Sequence, residues 1–224
     1  MSFYRTRMNQ DLINLFRKFF MDLANDNLNN YNEILKFCKD MINETLEKPI
    51  VNIIGNGLNG KSTLMRVIHM LMSHKIEKIP KFGLSQSFFS NLYSDNLRYI
   101  EISDVDNKDI AKMFGNMKSI VAGEDMQIRK LYARSITTVK PNIKFIIVSN
   151  GIFNTNGDAG INRRTKIIKM EAIFDNLHKT PNPNIFEELL MHRVPLEKFI
   201  LNYETMNYNE ITEIDNVICI NISI

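Results

Sequence analysis

Between residues 11 and 46 the apolar positions recur at three- and four-residue spacing: Leu12, Leu15, Phe16, Phe19 and Phe20, then Ile34, Leu35, Cys38, Met41 and Ile42. Such spacing lines one face of a helix, and the Asn-rich NDNLNNYN between the two stretches reads as a loop, so a pair of helices is expected. The period then changes. IVNII (50–54) reads as a short buried strand, followed by a Gly-rich turn and a helical pattern over 61–72. LRYIEIS (97–103) and IKFIIVS (143–149) are strand-like, and TKIIKM (165–170) is a further candidate. A helix is expected near 108–122, a hairpin over 127–139 where β-branched residues alternate, and a helical region over 184–206 interrupted by Pro195. The lightly basic stretch 75–81 reads as solvated. Strands alternating with helices argue for an α/β fold with a central, mostly parallel sheet flanked by helices. The expected organisation is a small N-terminal helical region (1–46), a core (47–180), and a C-terminal helical region with its tail (181–224). The apolar ending DNVICINISI carries no functional reading.

Composition narrows the class without choosing a function. With 44% hydrophobic and 24% charged residues, the 224-residue chain can bury a sizeable core, which excludes global disorder. A net charge of +3 permits nucleic-acid binding but does not argue for it, because a local basic patch matters more than the total. Cys38 and Cys219 lack the paired spacing of a zinc or redox motif, and a reducing compartment is expected. The histidines (His69, His74, His178, His192) have no metal spacing and read as structural or surface residues. No apolar run has signal-peptide or membrane-spanning length, so the expectation is a soluble protein of the cytoplasm, or of a host cell's cytoplasm, without a membrane partner.

The turn after the first strand carries the chemistry. GNGLNGKST fits G-x-x-x-x-G-K-[ST] at Gly55, Gly60, Lys61 and Ser62, with Asn56, Gly57, Leu58, Asn59 and Thr63 completing the loop. Glycines let successive backbone N–H groups converge on phosphate oxygens where a Cβ would collide. Lys61 brings a point charge to the β- and γ-phosphates, the Ser62 hydroxyl suits Mg²⁺, and the following helix adds the positive end of its dipole. Thr63 is a spare hydroxyl. A chance Gly-rich turn is the bland alternative, and the strand-loop-helix context argues against it. The expected ligand is therefore ATP with Mg²⁺.

A hydrolysing site also needs a carboxylate at a neighbouring strand end to hold Mg²⁺ and orient water. RYIEISDVD offers Glu101 inside the strand, Asp104 just past its C-terminal end, and Asp106 as the second choice. Either acid alone would read as a solvated loop charge. IKFIIVS ends at Asn150, an amide that suits a γ-phosphate or a lytic water, although alone it would read as a turn residue.

In this order the motifs resemble the superfamily 3 helicases of viruses, phages and plasmids, particularly the helicase part of poxvirus-type and phage primase-helicases, over about residues 37–174. The resemblance rests on the GxxNGKS loop, the strand ending in Ser103-Asp104, KSIVAGEDMQIRKLY (118–132), KPNIKFIIVSN (140–150) and INRRTKIIKM (161–170). It implies an AAA+-like P-loop core, assembled as a ring, usually a hexamer, that hydrolyses ATP while moving along single-stranded DNA: a replicative helicase. It further implies that Arg163 or Arg164 reaches a neighbour's γ-phosphate, a pair that would otherwise read as solvated. Lys118, Arg129, Lys130 and Arg134 are implied to grip nucleic-acid phosphates from a hairpin. Tyr132 reads as packing as much as base stacking. Two features depart from the family: Asp104 stands where relatives commonly have Glu, and the length leaves no room for the primase or nickase domain that often precedes the helicase. A separate primase is then a candidate partner. Two alternatives stay open: an ATP-dependent nucleic-acid-binding or assembly module with little or no hydrolysis, and a different P-loop ATPase or kinase.

Overall fold

The computed structural model describes residues 10–79, 94, 96–103, 117–129, 134–152, 158–175 and 177–205. The expected helix pair is present as α1 (Gln10–Leu23) and α2 (Leu28–Ile42). The turn between them ends at Asn27, whose side-chain oxygen accepts from the Asn30 N–H at 3.1 Å and caps α2. Five parallel strands form the central sheet: β1 (Ile50–Ile54), β2 (Ile76–Ile79), β3 (Tyr99–Ser103), β6 (Lys144–Ser149) and β7 (Thr165–Lys169), in the order β2-β3-β6-β1-β7. Between β3 and β6 a short antiparallel pair, β4 (Met126–Ile128) with β5 (Thr137–Val139), follows helical residues 117–122. The helices α3 (Lys61–Met72), α4 (Ala159–Arg164), α5 (Ile185–Met191) and α6 (Arg193–Asn202) complete the described chain.

The near-continuous apolar runs of β1, β3 and β6 make sense because the sheet is covered on both faces. Alternate side chains of β1 go to opposite sides. Val51 and Ile53 join Phe16, Phe20, Ile34, Leu64 and Phe199 in a core beneath α1, α2, α3 and α6. Ile50 joins Ile100, Ile102, Phe145 and Ile147 in a second core closed by Met117, Ile120, Ile128 and Ile161. The helices from both ends of the chain thus share one core with α3.

Two expectations change. The stretch at 75–81 is not simply solvated: Ile76 and Ile79 are buried in β2, while Glu77 and Lys78 between them are exposed. That pattern of apolar ends and a charged middle suits an edge strand, where charge discourages pairing with another chain. Pro195 does not interrupt a helix. The break falls at His192, and Pro195 lies in the first turn of α6, where a missing N–H costs no intrahelical bond. The expected hairpin is present, with Met126–Ile128 paired to Thr137–Val139 and residues 130–133 outside the described residues. The tail over 206–224, Cys219 included, lies outside the described residues. Among the described residues no helix is long and apolar enough to cross a membrane.

Phe199 ties the C-terminal helices to α1: its ring centroid lies 5.6 Å from Phe16 and 6.3 Å from Phe20, and it is 1% exposed. Phe199→Ala is expected to destabilise the protein by about 3–5 kcal/mol, read from urea unfolding followed by circular dichroism.

Candidate functional site

The Gly-rich loop joins the C-terminal end of β1 to α3 and is braced by the chain that follows β7. The Met170 N–H donates to the Ile54 carbonyl at 2.7 Å, and the Phe174 N–H donates to the Leu58 carbonyl at 2.6 Å. Asn59 Nδ2 donates to the Met170 carbonyl at 3.2 Å. The bracing crowds Gly55, and Leu23 of α1 crowds Gly60. A Cβ at Gly55 would meet Asn59 Nδ2 at 1.8 Å and the Met170 carbonyl at 2.4 Å, and one at Gly60 would meet Leu23 Cδ2 at 2.2 Å. Gly60 also has φ +80°, a left-handed conformation that glycine adopts at little cost. Leu58 takes a left-handed φ of +46° at the tip and is 72% exposed.

Lys61 opens α3 and is 8% exposed. Its ammonium donates to the Gly55 carbonyl at 2.5 Å and to Asn59 Oδ1 at 3.0 Å, both within its own loop. The first intrahelical bond of α3 runs from the Leu64 N–H to the Gly60 carbonyl at 2.9 Å, and no side chain caps the helix. Helix-end N–H groups, an ammonium and the exposed Ser62 hydroxyl therefore share one place, which is a donor set suited to an anion with several oxygens. To meet such an anion, Lys61 would have to exchange these loop acceptors for the ligand's oxygens. Asn56 and Gly57 are exposed beside it, and Thr63 is half-buried.

The parallel register brings Asn150 to the same sheet edge. Ile54 pairs with Ser149, so Gly55 and Asn150 are the next residues of neighbouring strands, and Asn150 is exposed. On β3 the buried charged residue is Glu101, 2% exposed. His69 Nε2 of α3 lies 2.6 Å from Glu101 Oε2, Ser103 Oγ donates to Oε1, and Lys78 Nζ of β2 lies 3.4 Å from Oε1. Burial opposes the charge, but the hydrogen bonds from His69 and Ser103 and the charges of His69 and Lys78 outweigh it and hold the carboxyl below its ordinary range. His69 therefore joins the helix that begins with Lys61 to the strand that leads to Asp104. Sequence spacing alone gives no sign of this, since one His and one Glu 32 residues apart form no motif. Asp104 and Asp106 lie outside the described residues. Among the described residues no three His, Cys, Asp or Glu side chains gather as a metal site.

The arginine pair stands elsewhere. Thr165, directly after Arg164, pairs with Ile50, the first residue of β1, whereas the loop follows Ile54. At ~3.3 Å per residue the pair and the loop of one chain are about 16 Å apart along the strand direction. Arg163 is exposed and Arg164 half-buried, and Lys48 Nζ donates to the Arg163 carbonyl at 2.9 Å. Asp158 caps α4 by accepting from the Ile161 N–H at 3.0 Å, and it also pairs with Lys118. In this conformation Lys118 therefore links the helical residues 117–122 to the arginine helix, and its charge is directed at Asp158 instead of outward. Those two contacts, Lys118 first, hold the Asp158 carboxyl below its ordinary range. Arg129 and Arg134 are exposed at the two inner ends of the β4–β5 pair, and Lys130 lies outside the described residues.

A parallel sheet covered on both faces, with a Gly-rich loop and a helix N-terminus at its C-terminal edge, defines an α/β protein with an anion-suited site at that edge. Residues 53–164, half of the chain, match the model of the family described as "Family of unknown function (DUF5906)", and the chain belongs to that family. No curated protein matches it. Among solved structures, the A form apo structure of the NrS-1 C terminal region is similar, with a TM-score of 0.64 and 16% identity over 84% of this chain and 45% of that one. A second apo structure of the same region gives a TM-score of 0.65 at 16% identity and the same coverage. This chain thus spans less than half the length of those relatives, and at that identity the likeness is one of fold.

Because the folded Glu101 holds its proton less tightly than an ordinary carboxyl of 4.5, its contribution to stability is full above about pH 4.5 and is lost as pH falls through the folded value. Urea unfolding from pH 7 to pH 3 should therefore show a steep acid limb that flattens in Glu101→Gln. An equally steep limb in that variant would assign the acid sensitivity to other groups.

Proposed function

We propose that this chain is the ATP-driven motor of a replicative DNA helicase of the superfamily 3 type, from a virus, phage or plasmid, working as a ring on single-stranded DNA. The observation that carries the reading is the division of the site between two edges of one sheet. The loop at Gly55 to Ser62 and Asn150 share the C-terminal edge, while Arg163 and Arg164 stand about 16 Å away at the other. An arginine at that distance serves no phosphate in its own subunit, and it suits a head-to-tail ring in which each site meets the neighbour's opposite edge. The roles follow the chemistry. Lys61 neutralises the β- and γ-phosphates, and Ser62 with Asp104, seconded by Asp106, holds Mg²⁺. Asn150 orients the γ-phosphate or the attacking water, and one of the arginines stabilises transition-state charge. Arg129, Lys130 and Arg134 supply phosphate contacts in the ring channel, with Lys118 at the root of that module. A separate primase would supply the primers, and the host cytoplasm is the expected setting. The fold shared with the NrS-1 C terminal region is compatible with this reading and adds no activity of its own.

A second reading, an assembly module that holds ATP with little turnover, draws on Lys61, whose ammonium is bonded to the loop's own Gly55 and Asn59.

Steady-state ATP hydrolysis with and without single-stranded DNA separates the two. The motor reading expects turnover that DNA stimulates and that falls in Lys61→Ala on the order of 10²-fold or more. ATP binding without turnover would favour the assembly module. A mixing experiment tests the ring. Lys61→Ala subunits and Arg163→Ala/Arg164→Ala subunits, each inactive alone, should regain part of the turnover when mixed, because intact arginines then face intact loops. A mixture as inactive as its parents would contradict action between subunits.

A further inference from the structure

Asn52 sits in the middle of β1, 0% exposed, hydrogen-bonded through its backbone between β6 and β7. Its neighbours Val51 and Ile53 are buried aliphatic residues, and an amide there costs stability unless its hydrogen bonds are made. Only one is. Ser149 Oγ lies 3.0 Å from Asn52 Oδ1, while Asn52 Nδ2 has no acceptor among the described residues. Ser149, 6% exposed, is the last residue of β6, and its hydroxyl also lies 2.6 Å from the Gly151 carbonyl. One hydroxyl proton is thus divided between an amide in the sheet and a carbonyl one residue beyond Asn150. Turning the Asn52 carboxamide by half a rotation would let Nδ2 donate to Ser149 Oγ and release the hydroxyl proton wholly to Gly151. In either orientation the same three groups are joined.

For stability alone, apolar side chains at 52 and 149 would serve better, since neither an orphan amide nor a shared proton would then be buried. What the polar pair supplies is direction. It begins inside the rigid strand that carries the Gly-rich loop and ends on the exposed turn that carries Asn150. We propose that Asn52 and Ser149 are positioning residues for Asn150. Asn52 fixes the Ser149 hydroxyl, the hydroxyl fixes the Gly151 carbonyl, and the 149–151 turn so held aims the Asn150 amide at the ligand over Gly55. This inference rests on the reading of Asn150 as the group that orients the γ-phosphate or lytic water.

Ser149→Ala and Ser149→Thr separate positioning from packing. In Ser149→Ala, kcat for ATP is expected to fall on the order of 10- to 100-fold while KM stays within about two-fold, because a displaced orienting group costs turnover more than binding. Ser149→Thr, which keeps the hydroxyl, should recover most of kcat. A folded Ser149→Ala protein with unchanged kcat overturns the inference, as does an equal loss in both variants. Should the unmodified protein show no turnover at all, the ATPase reading fails, and a second measurement still decides this one. The Asn150 side-chain NH₂ resonances of the nucleotide-free protein should be dispersed and rigid on the nanosecond scale, and averaged in Ser149→Ala. Identical Asn150 signals in the two proteins overturn the positioning role.

Discussion

Everything at the candidate site depends on the parallel register of β1 with its two neighbours. Ile54 lies opposite Ser149 on one side and Lys169 on the other, so three chain segments leave the sheet at one level. One becomes the Gly-rich loop, one the Asn150 turn, and one the 170–174 segment that braces the loop through Met170 and Phe174. A one-residue slip in either pairing would turn every side chain of the slipped strand to the other face and exchange its two cores. The burial of Val51, Ile53, Ile146, Val148 and Ile168 on one side, and of Ile50, Phe145 and Ile147 on the other, is what forbids it.

The loop is tight because it is enclosed on its outer side. Leu23, from the end of α1, lies where a Cβ on Gly60 would fall, and Phe174 lies 3.1 Å from that position, so the N-terminal helices and the segment after β7 shape the turn together. His69 and Glu101 add a polar tie at the other end of α3. α3 is thereby fixed near both ends, at the loop and at β3, which suits a helix whose first turn has to keep its N–H groups aimed at one place.

Much of this was legible in the sequence because strands buried on both faces write themselves as apolar runs. IVNII, YIEIS, KFIIVS and TKIIK gave four of the five central strands, and the helix over 61–72 was placed to the residue. β2 was not, since IEKI shows two apolar residues around two charges and only its place at the sheet edge makes that a strand. Pro195 misled for a positional reason: the same residue breaks a helix interior and suits a first turn. Of the candidate site, the loop and Asn150 were proposed from local spacing, and the sheet register brings them to one edge. The Lys118–Asp158 pair, the His69–Glu101 pair and the Asn52–Ser149 bond join residues from 32 to 97 positions apart, and topology alone brings such partners together. Asp104, Asp106 and Lys130, assigned from sequence, lie outside the described residues.

On the proposed reading the β1–α3 loop binds a chain of phosphates. The most direct test is calorimetric titration of the purified protein with ATP, ADP, AMP and adenosine in the presence of Mg²⁺, repeated with Lys61→Ala. Affinity is expected to rise with each added phosphate, to weaken on loss of Lys61, and to be negligible for adenosine. Equal affinity for adenosine and ATP, or indifference to Lys61, would contradict that reading.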